Sequence, residues 1–245
     1  MAEEETANLK DKLATATSIL RWELCDFWGH VSARTPGGKS FLLRHLRPPP
    51  DSSVSSDEAL EYDLDGNLLS GQRSRPDEIF FYICSYKAKT NIGAVVHCHP
   101  PMAISLVATG QRIIPIHQHS ANFGRGVPVS PWLYGSLRED GEKAVKWMGK
   151  SCALVIRGHG ALAVGETLEE ACINMVRLER TAKMILSAAS VGKPAPLPAS
   201  AARKFFSVVE RASKEPPEKR KRMSHFIEWQ YYESLIKRGE RWNIL

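Results

Sequence analysis

The 245-residue sequence has no long uninterrupted run of apolar residues. Its longest runs, such as residues 92–96 and 113–116, are broken within a few residues, whereas a membrane-spanning helix needs roughly 18. The first residues, Met1-Ala-Glu-Glu-Glu-Thr, are acidic where a secretory signal peptide would be cationic. The sequence therefore predicts a protein without a membrane span or a signal peptide.

Cysteine pairs are missing as well. The 5 cysteines are widely spaced and odd in number, and no C-x-x-C pair occurs, which argues against a disulfide framework, a zinc ribbon and a redox motif. Reduced thiols are typical of the cytoplasm. A chain of this length can bury most of its apolar surface without covalent cross-links. We therefore expect a cytoplasmic protein.

The positive charge of the chain is concentrated in one segment. The formal net charge is +6, and residues 203–222 hold 8 basic and 3 acidic residues, so the rest of the chain is nearly neutral. A nucleic-acid-binding surface would spread basic residues over a folded face among aromatic ones. We interpret the segment as a solvated, proline-broken linker and expect no nucleic-acid partner. The predicted domains are a catalytic unit over residues 1–200 and, over 201–245, this linker followed by a C-terminal helix.

The hydrophobic pattern is that of an α/β protein. Helical spacing covers residues 3–25, two short strands at 31–34 and 41–44 flank a Pro-Gly-Gly turn, and a helix is predicted from Pro76 to about residue 89. Buried strands are predicted at 93–99 and 151–157. A long helix follows at 167–189, and a terminal helix is predicted at 226–238.

Three histidines occur where predicted strands end. His97 and His99 are two residues apart, so an extended strand projects both to one side of the sheet. His159 follows a different strand and lies between two glycines. Three imidazoles on a divalent metal leave one coordination position open, as in catalytic sites. The alternative is that these are ordinary hydrogen-bonded histidines, and spacing alone does not exclude it.

Glu78 lies nineteen residues before His97, at the start of the helix that leads into the His97 strand. A helix running away and a strand running back return the chain to the same edge, which brings this carboxylate near the predicted metal. It would serve there as a metal ligand in the resting state or as an acid and base during catalysis. The alternative role is a favourable interaction with the helix dipole alone.

Taken together, Glu78, Gly93-Ala-Val-Val-His-Cys-His and Arg157-Gly-His-Gly-Ala resemble the class II aldolase/adducin family over about residues 8–190. The resemblance implies a three-layer αβα fold with a central, mainly antiparallel sheet, assembled as a homotetramer with active sites between subunits. It also implies that His97, His99 and His159 bind a divalent metal, with zinc expected and manganese, cobalt or iron(II) as alternatives. In such a site Glu78 transfers the proton.

Departures from the family pattern point away from a phosphorylated substrate. Sugar-phosphate members hold phosphate with a Gly-Asn-x-Ser loop, whereas this chain has Gly29-His-Val-Ser. The second phosphate loop is replaced by Leu43-Arg-His-Leu-Arg-Pro, without a glycine turn. Arg75-Pro-Asp-Glu places an anionic Asp77 where phosphate would be repelled.

Four residues are predicted to contact a small carboxylate substrate: His30, Ser32, Arg44 and His119. Arg44, with Arg47 beside it, has the guanidinium fork that suits a planar carboxylate, although a surface role on its strand is the alternative. The Gly-His-Val-Ser-x-Arg pattern is similar to a family branch with decarboxylases of dihydroxylated aromatic acids and an iron-dependent oxygenase. His117 and His119 fall where the family has a pocket wall, and a solvated or packing role is the alternative.

These features predict a metal-dependent carbon–carbon lyase acting on a non-phosphorylated hydroxylated aromatic or keto carboxylate, in which the metal stabilises an enolate or phenolate. Decarboxylation is favoured over retro-aldol cleavage of a hydroxy-carbonyl acid. The sequence is also compatible with an Fe(II) oxygenase and with a non-catalytic adducin-like scaffold. Aromatic residues of the tail, Tyr231, Tyr232 or Trp242, would close a neighbouring subunit's site, unless Trp229 and Tyr232 simply pack a terminal helix.

Overall fold

A central sheet organises the molecule, a computed structural model that describes residues 2–46, 59–71, 75–215, 219 and 223–240. The described strands follow the order β4-β3-β2-β1-β5-β8-β7-β6, and all neighbouring pairs are antiparallel except β6 and β7. The strands are β1 His30–Arg34, β2 Ser40–His45, β3 Leu60–Asp63, β4 Leu68–Ser70, β5 Ala94–Cys98, β6 Val129–Ser130, β7 Ala153–Ile156 and β8 Ala161–Gly165.

Helices cover both faces of this sheet. They are α1 Ala2–Leu24, α2 Ile79–Ala88, α3 Pro101–Ala108, α4 Arg138–Met148, α5 Leu168–Ala189, α6 Ala199–Ser213 and α7 Ser224–Lys237, with a 3₁₀ helix at Gln118–Phe123. Thr167 caps α5, since its hydroxyl accepts a hydrogen bond from the backbone N–H of Glu170 at 3.2 Å. No helix in the described part of the chain has the length and apolar character that crossing a membrane requires.

Successive side chains of each strand point to opposite faces of the sheet. Each face packs against helices and forms a core, so the fold has two cores and three layers. In β5, Ala94 and Val96 point into a core shared with α1, α3, α5 and α7. Val95, between them, points into a second core shared with α2 and α4. The predicted three-layer αβα fold with a mainly antiparallel sheet is confirmed.

The segment after residue 200 differs from its prediction. We expected a solvated basic linker from residue 203, but α6 extends through Ser213. The helix forms because residues 199–213 contain neither proline nor glycine and include four alanines and two arginines, which favour helix. The rest of the predicted linker lies largely outside the described residues.

The terminal helix α7 packs on its own chain. Trp229, Tyr232 and Leu235 are buried in α7. The first two belong to the core shared with α1 and α5, where the Tyr232 hydroxyl donates a hydrogen bond to the Glu23 carboxylate. Tyr231 is 60% exposed. Trp242, the third aromatic residue considered for a neighbouring site, lies outside the described residues. This packing matches the simpler of the two predicted roles for the tail.

Candidate metal centre

Four of the predicted site residues meet at one edge of the sheet. His97 lies near the end of β5, His99 follows that strand, His159 lies in the turn between β7 and β8, and Glu78 immediately precedes α2. Each offers one ligand atom, and these four atoms all lie within 4.8 Å of one another. Elements that are far apart in the sequence therefore converge on a volume that one metal ion can fill.

Two of the histidines are oriented by backbone carbonyls. Nδ1 of His97 lies 3.0 Å from the carbonyl oxygen of Ala161, and Nδ1 of His159 lies 2.7 Å from that of Leu133. A carbonyl only accepts, so each Nδ1 must carry the hydrogen and donate it. Each Nε2 then faces the cluster and can bind a metal once it carries no hydrogen. Burial would lower the pKa of His159, but the hydrogen bonds with Glu78 and with the Leu133 carbonyl outweigh it and raise that pKa, so a cation there would replace the hydrogen that His159 shares with Glu78.

His99 is oriented by a carboxylate. Its Nδ1 lies 3.2 Å from Oδ2 of Asp26, and its backbone N–H donates to the same oxygen at 2.7 Å. Asp26 is only 5% exposed. Burial by itself would raise its pKa, but the hydrogen bonds from His99 and from the Trp28 backbone N–H lower the pKa of Asp26 to about 2. Asp26 is therefore an ionised acceptor for His99 near neutral pH.

Glu78 faces the three histidines. Its Oε1 lies 3.4 Å from Nε2 of His159 and 3.9 Å from Nε2 of His97. Although it precedes α2, its side chain makes no capping hydrogen bond to the described helix, so the carboxylate is available to the cluster. Burial would raise the pKa of Glu78, but the hydrogen bond with His159 and the neighbouring His30 outweigh it and hold the pKa below its usual value. The resting carboxylate is negatively charged.

His30 borders the same carboxylate from β1. It pairs in register with His97 of β5 and with His45 of β2, so the three rings share one face of the sheet. Its Nδ1 is buried without a hydrogen-bond partner among the described residues and lies 3.7 Å from Oε2 of Glu78. Burial, followed by the neighbouring histidines, holds the pKa of His30 well below its ordinary value, so the ring is neutral.

The donor set fits a divalent cation. Nε2 of His97 is fully buried and has no hydrogen-bond partner in the described part of the chain, which is costly for a polar atom unless a ligand completes it. Burial, together with the nearby His99 and His159, holds the pKa of His97 well below its ordinary value, so its lone pair is available. Three imidazoles and one carboxylate are donors that zinc and related divalent metals accept.

The rings are held in place by close packing. Phe81, in the first turn of α2, contacts His97 and His159, with ring centroids 5.4 and 6.2 Å apart. A side chain at Gly160 would place its Cβ 3.1 Å from the ring of His97 and 3.0 Å from the ring of His99. Glycine at this position therefore leaves room for the rings of His97 and His99.

Two exposed aromatic residues extend from the cluster toward solvent. The ring centroid of Tyr134 lies 6.1 Å from that of His159, and Trp132 stacks on Tyr134 with ring planes 3° apart. The Tyr134 hydroxyl donates to the carboxylate of Asp77, at 3.2 Å. Trp132 is 62% exposed. Aromatic surface therefore leads from the candidate metal ligands to the outside of the molecule.

The structure separates two predicted substrate contacts from this cluster. Arg44 alternates with His45 along β2, so it points to the opposite face of the sheet, into the layer of Leu42 and Leu46. Ser32 lies on the same face as His30 but is fully buried, and its hydroxyl contacts the Tyr86 hydroxyl at 2.8 Å and the Val95 carbonyl at 2.9 Å. Ser32 is therefore part of the core beneath the site.

His119 also lies apart from the cluster. Within the described part of the chain, its ring contacts are with His117 and with Phe205 of α6. Burial, followed by the nearby His119 and Arg177, lowers the pKa of the neighbouring His117, while Glu228 acts in the opposite direction. Arg177 lies in α5 and Glu228 in α7. Arg47 lies outside the described residues.

Sequence reasoning missed Asp26, Trp132 and Tyr134. Asp26 sits in an irregular segment after α1, 73 positions from His99, and no motif links the two residues. Trp132 and Tyr134 occur in the Pro-Trp-Leu-Tyr-Gly segment before α4, where alternate aromatic residues were the available signal.

The family profile described as Class II Aldolase and Adducin N-terminal domain matches residues 16–186. The chain belongs to this family. Its predicted membership is thereby confirmed. The match includes Glu78, His97, His99 and His159, as well as Asp26 and Tyr134.

Relatives of this family member include enzymes of two kinds. The chain is 29% identical over 204 residues to 3,4-dihydroxyphthalate decarboxylase of Arthrobacter keyseri, which covers 76% of this chain and 81% of the relative. It is 24% identical over 135 residues to 5-deoxy-D-ribulose 1-phosphate aldolase of Bacillus thuringiensis serovar kurstaki, covering 55% of this chain and 63% of the relative. Decarboxylases and aldolases are lyases, and the prediction of a lyase-family enzyme is confirmed.

A solved structure supports the fold. L-fuculose 1-phosphate aldolase from Glaciozyma antarctica PI12 superposes with a TM-score of 0.78 over 100% of this chain and 95% of that one, at 20% sequence identity. At this identity the similarity establishes the architecture.

Proposed function

We propose that this chain is a divalent-metal-dependent carbon–carbon lyase that decarboxylates a non-phosphorylated hydroxylated aromatic or keto carboxylate. The observation that carries the proposal is the convergence of three histidines and one carboxylate within 4.8 Å. The histidines are fixed through Nδ1 by Ala161, Leu133 and Asp26, which leaves every Nε2 directed to the same place.

His97, His99 and His159 would hold the cation, which we propose to be zinc, with manganese, cobalt or iron(II) as alternatives. A cation bound there would supply positive charge that stabilises the oxygen anion of the substrate as the carbon–carbon bond breaks. Glu78 would complete the ligand set at rest, or turn to the substrate once the substrate occupies the site.

Glu78 would transfer the proton. When a carboxylate leaves as carbon dioxide, its bonding electron pair stays on the substrate carbon, and a proton must be added there. The ionised Glu78 carboxylate would first accept a proton from a substrate hydroxyl group or from solvent and then donate it to that carbon. The Glu78 carboxylate lies 3.4 Å from the His159 imidazole, and His30 flanks it at 3.7 Å. We assign His30 the role of orienting the Glu78 carboxylate or a substrate oxygen through its buried Nδ1.

Three features support an aromatic, non-phosphorylated substrate. The stacked pair of Trp132 and Tyr134 offers a flat apolar surface beside His159. The negative charge of Asp77, next to Glu78, opposes a phosphate group at this edge. One relative, covered to 81%, acts on a dihydroxylated aromatic acid. Arg44 gives no support to carboxylate recognition at this site, because it points to the other face of the sheet.

Retro-aldol cleavage is the second candidate. It uses the same metal ligands and the same proton transfer by Glu78, and one relative is an aldolase. A decarboxylase releases carbon dioxide, whereas an aldolase releases an aldehyde or ketone, so the two products separate the candidates.

The assembly and the compartment are proposals as well. We propose a homotetramer. We also propose that it is cytoplasmic, which agrees with the five cysteines, since all are free thiols in the structure. Light scattering coupled to size-exclusion chromatography tests the tetramer, for which a mass of about four chains is the expected result.

Carbon dioxide release tests the proposed reaction. Metal-loaded protein would be incubated with a panel of dihydroxylated aromatic acids and keto acids, with Glu78→Gln as the control. Release with the wild type, at a rate greatly reduced in the control, is expected. Carbonyl products without carbon dioxide would favour the aldolase. Stoichiometric oxygen consumption would favour the Fe(II) oxygenase.

A further inference from the structure

We propose that Asp26 is a positioning residue that orients His99 for metal binding and raises the affinity of the centre. The inference rests on the proposed metal centre. It concerns a residue outside the four that offer ligand atoms, and it follows from the contacts of one buried carboxylate.

Asp26 contacts His99 at two points. Oδ2 accepts the backbone N–H of His99 at 2.7 Å and lies 3.2 Å from its Nδ1. The first contact fixes the main chain just beyond β5, and the second fixes the rotation of the ring. Because an ionised carboxylate only accepts, Nδ1 carries the hydrogen and Nε2 is left to bind a metal.

The negative charge of Asp26 also favours metal binding by His99. Its carboxylate side chain is 3% exposed, and Nδ1 of the His99 imidazole lies 3.2 Å from it. A buried negative charge is costly unless positive charge lies nearby. It makes the imidazole a stronger donor, and a cation on the far side of the ring would balance it. Asp26 therefore strengthens the bond between His99 and a cation, and the cation in turn offsets the buried charge of Asp26.

The chain before β1 is shaped to deliver this carboxylate. Cys25, at the end of α1, adopts a φ of +51°, a left-handed conformation that is unfavourable for a residue other than glycine. The turn brings Asp26 under β5, where its Oδ1 accepts the Trp28 backbone N–H at 2.9 Å. At Gly29 an added Cβ would lie 2.5 Å from the carbonyl oxygen of His97, so the segment runs tightly along the metal-ligand strand.

A competing explanation is that Asp26 merely fastens the loop. Both roles predict that removing the carboxylate destabilises the protein. They differ in metal affinity, since loss of a positioning partner typically weakens metal binding about 10- to 100-fold.

Glu179 provides the matched control. This buried carboxylate on α5 accepts the backbone N–H groups of Met102 and Ala103 at 2.9 to 3.0 Å and thereby fastens the start of α3. Its hydrogen bonds are to the backbone, as two of those of Asp26 are, but it contacts no imidazole of the cluster within the described residues. Glu179→Gln therefore tests loss of a loop fastening alone.

The experiment measures the Co²⁺ dissociation constant of the metal-free full-length protein by competition with a chelator. Thermal unfolding of the metal-free samples is recorded alongside. Asp26→Asn is expected to weaken Co²⁺ binding about 10- to 100-fold, whereas Glu179→Gln lowers the unfolding temperature and leaves the dissociation constant unchanged. Asp26→Asn with wild-type Co²⁺ affinity would overturn the inference and leave the metal centre standing. Wild-type protein that binds no Co²⁺ would overturn both.

A second measurement needs no variant. Long-range ¹H–¹⁵N correlation spectra of metal-free wild-type protein report which nitrogen of His99 carries the hydrogen. Hydrogen on Nδ1 is expected. Hydrogen on Nε2 would overturn the inference, because Asp26 would then not be setting the ligand tautomer. Both readouts are independent of turnover, so they distinguish a wrong assignment of Asp26 from a wrong assignment of the reaction.

Discussion

Nε2 of His159 lies 3.4 Å from Oε1 of Glu78, although the two residues come from distant parts of the sequence. The contact joins the β7–β8 turn to the start of α2. It places the proposed proton-transfer group next to a proposed metal ligand whose other nitrogen contacts the Leu133 carbonyl. In the proposed function, catalysis and metal binding thus share one edge of the sheet.

Replacement of the carboxyl by an amide, in Glu78→Gln, is expected to remove proton transfer while preserving shape. The loss of a general acid and base typically costs about 10²- to 10⁴-fold in rate, so kcat should fall by that factor. The three imidazoles stay in place, so metal content should change little. Steady-state kinetics and elemental analysis on the same samples check this. A variant with wild-type kcat would exclude Glu78 as the proton donor.

Trp132→Ala is expected to weaken binding of aromatic acids with a smaller effect on kcat. Aromatic stacking contributes about 0.5 to 1.5 kcal/mol, which corresponds to an increase in KM of roughly 2- to 12-fold. Trp147→Ala is the control, since this tryptophan is 48% exposed on α4. Equal KM values for wild type and Trp132→Ala, toward every aromatic acid that is turned over, would contradict a stacking role.

The fold was largely predictable where pattern and chemistry coincide. Periodicity located α1, β5 and α5 to within a few residues, because each carries apolar residues at the spacing of its element. The edge where His97, His99 and His159 meet followed from histidines at predicted strand ends. Glu78 followed from the connection between helix and strand, which returns the chain to its starting edge.

Other features depend on relationships that sequence does not carry. Successive residues of β2 point to opposite faces of the sheet, so an error of one residue in the predicted alternation reverses the face. His45 shares a face with His30, and Arg44, one residue earlier, therefore points away from the site. Asp26 acquires its role through tertiary contact with His99. In α6, a dense basic charge led to the prediction of a linker, whereas local helix propensity and contact with the 3₁₀ helix favour an ordered helix.

His225 gives a prediction for pH dependence. It is 7% exposed in α7, and burial, followed by the nearby Arg177, lowers the pKa of its imidazole to about 4. A histidine whose folded pKa lies below the unfolded value of 6.5 stabilises the fold above pH 6.5, and this contribution is lost as pH falls toward 4. The free energy of unfolding should therefore fall by about 2 kcal/mol between about pH 7 and pH 5 from this residue.

Urea unfolding of wild type and His225→Phe at about pH 7 and pH 5 isolates that effect. The wild type should lose about 2 kcal/mol more than the variant over this interval. Equal losses in the two proteins would show that His225 is not a buried neutral group.

The role of α7 is tested by a pair of aromatic substitutions. Trp229 is 4% exposed and packs in the α1 and α5 core, so Trp229→Ala should lower the free energy of unfolding by about 3 to 5 kcal/mol. Tyr231→Ala, at a residue 60% exposed, should leave it nearly unchanged. Kinetics of Tyr231→Ala then address catalysis. Wild-type turnover with unchanged assembly would reject a contribution of this tyrosine to a neighbouring site.

Elemental analysis of protein purified without chelators or an affinity-tag metal tests the account most directly. The wild type and His97→Ala/His99→Ala would be compared, with circular dichroism to verify that both are folded. We predict about one zinc, manganese or cobalt ion per wild-type chain and its loss in the double variant. Iron as the main metal would favour the oxygenase. Folded wild-type protein without metal, or metal unaffected by the double substitution, would contradict the proposed centre.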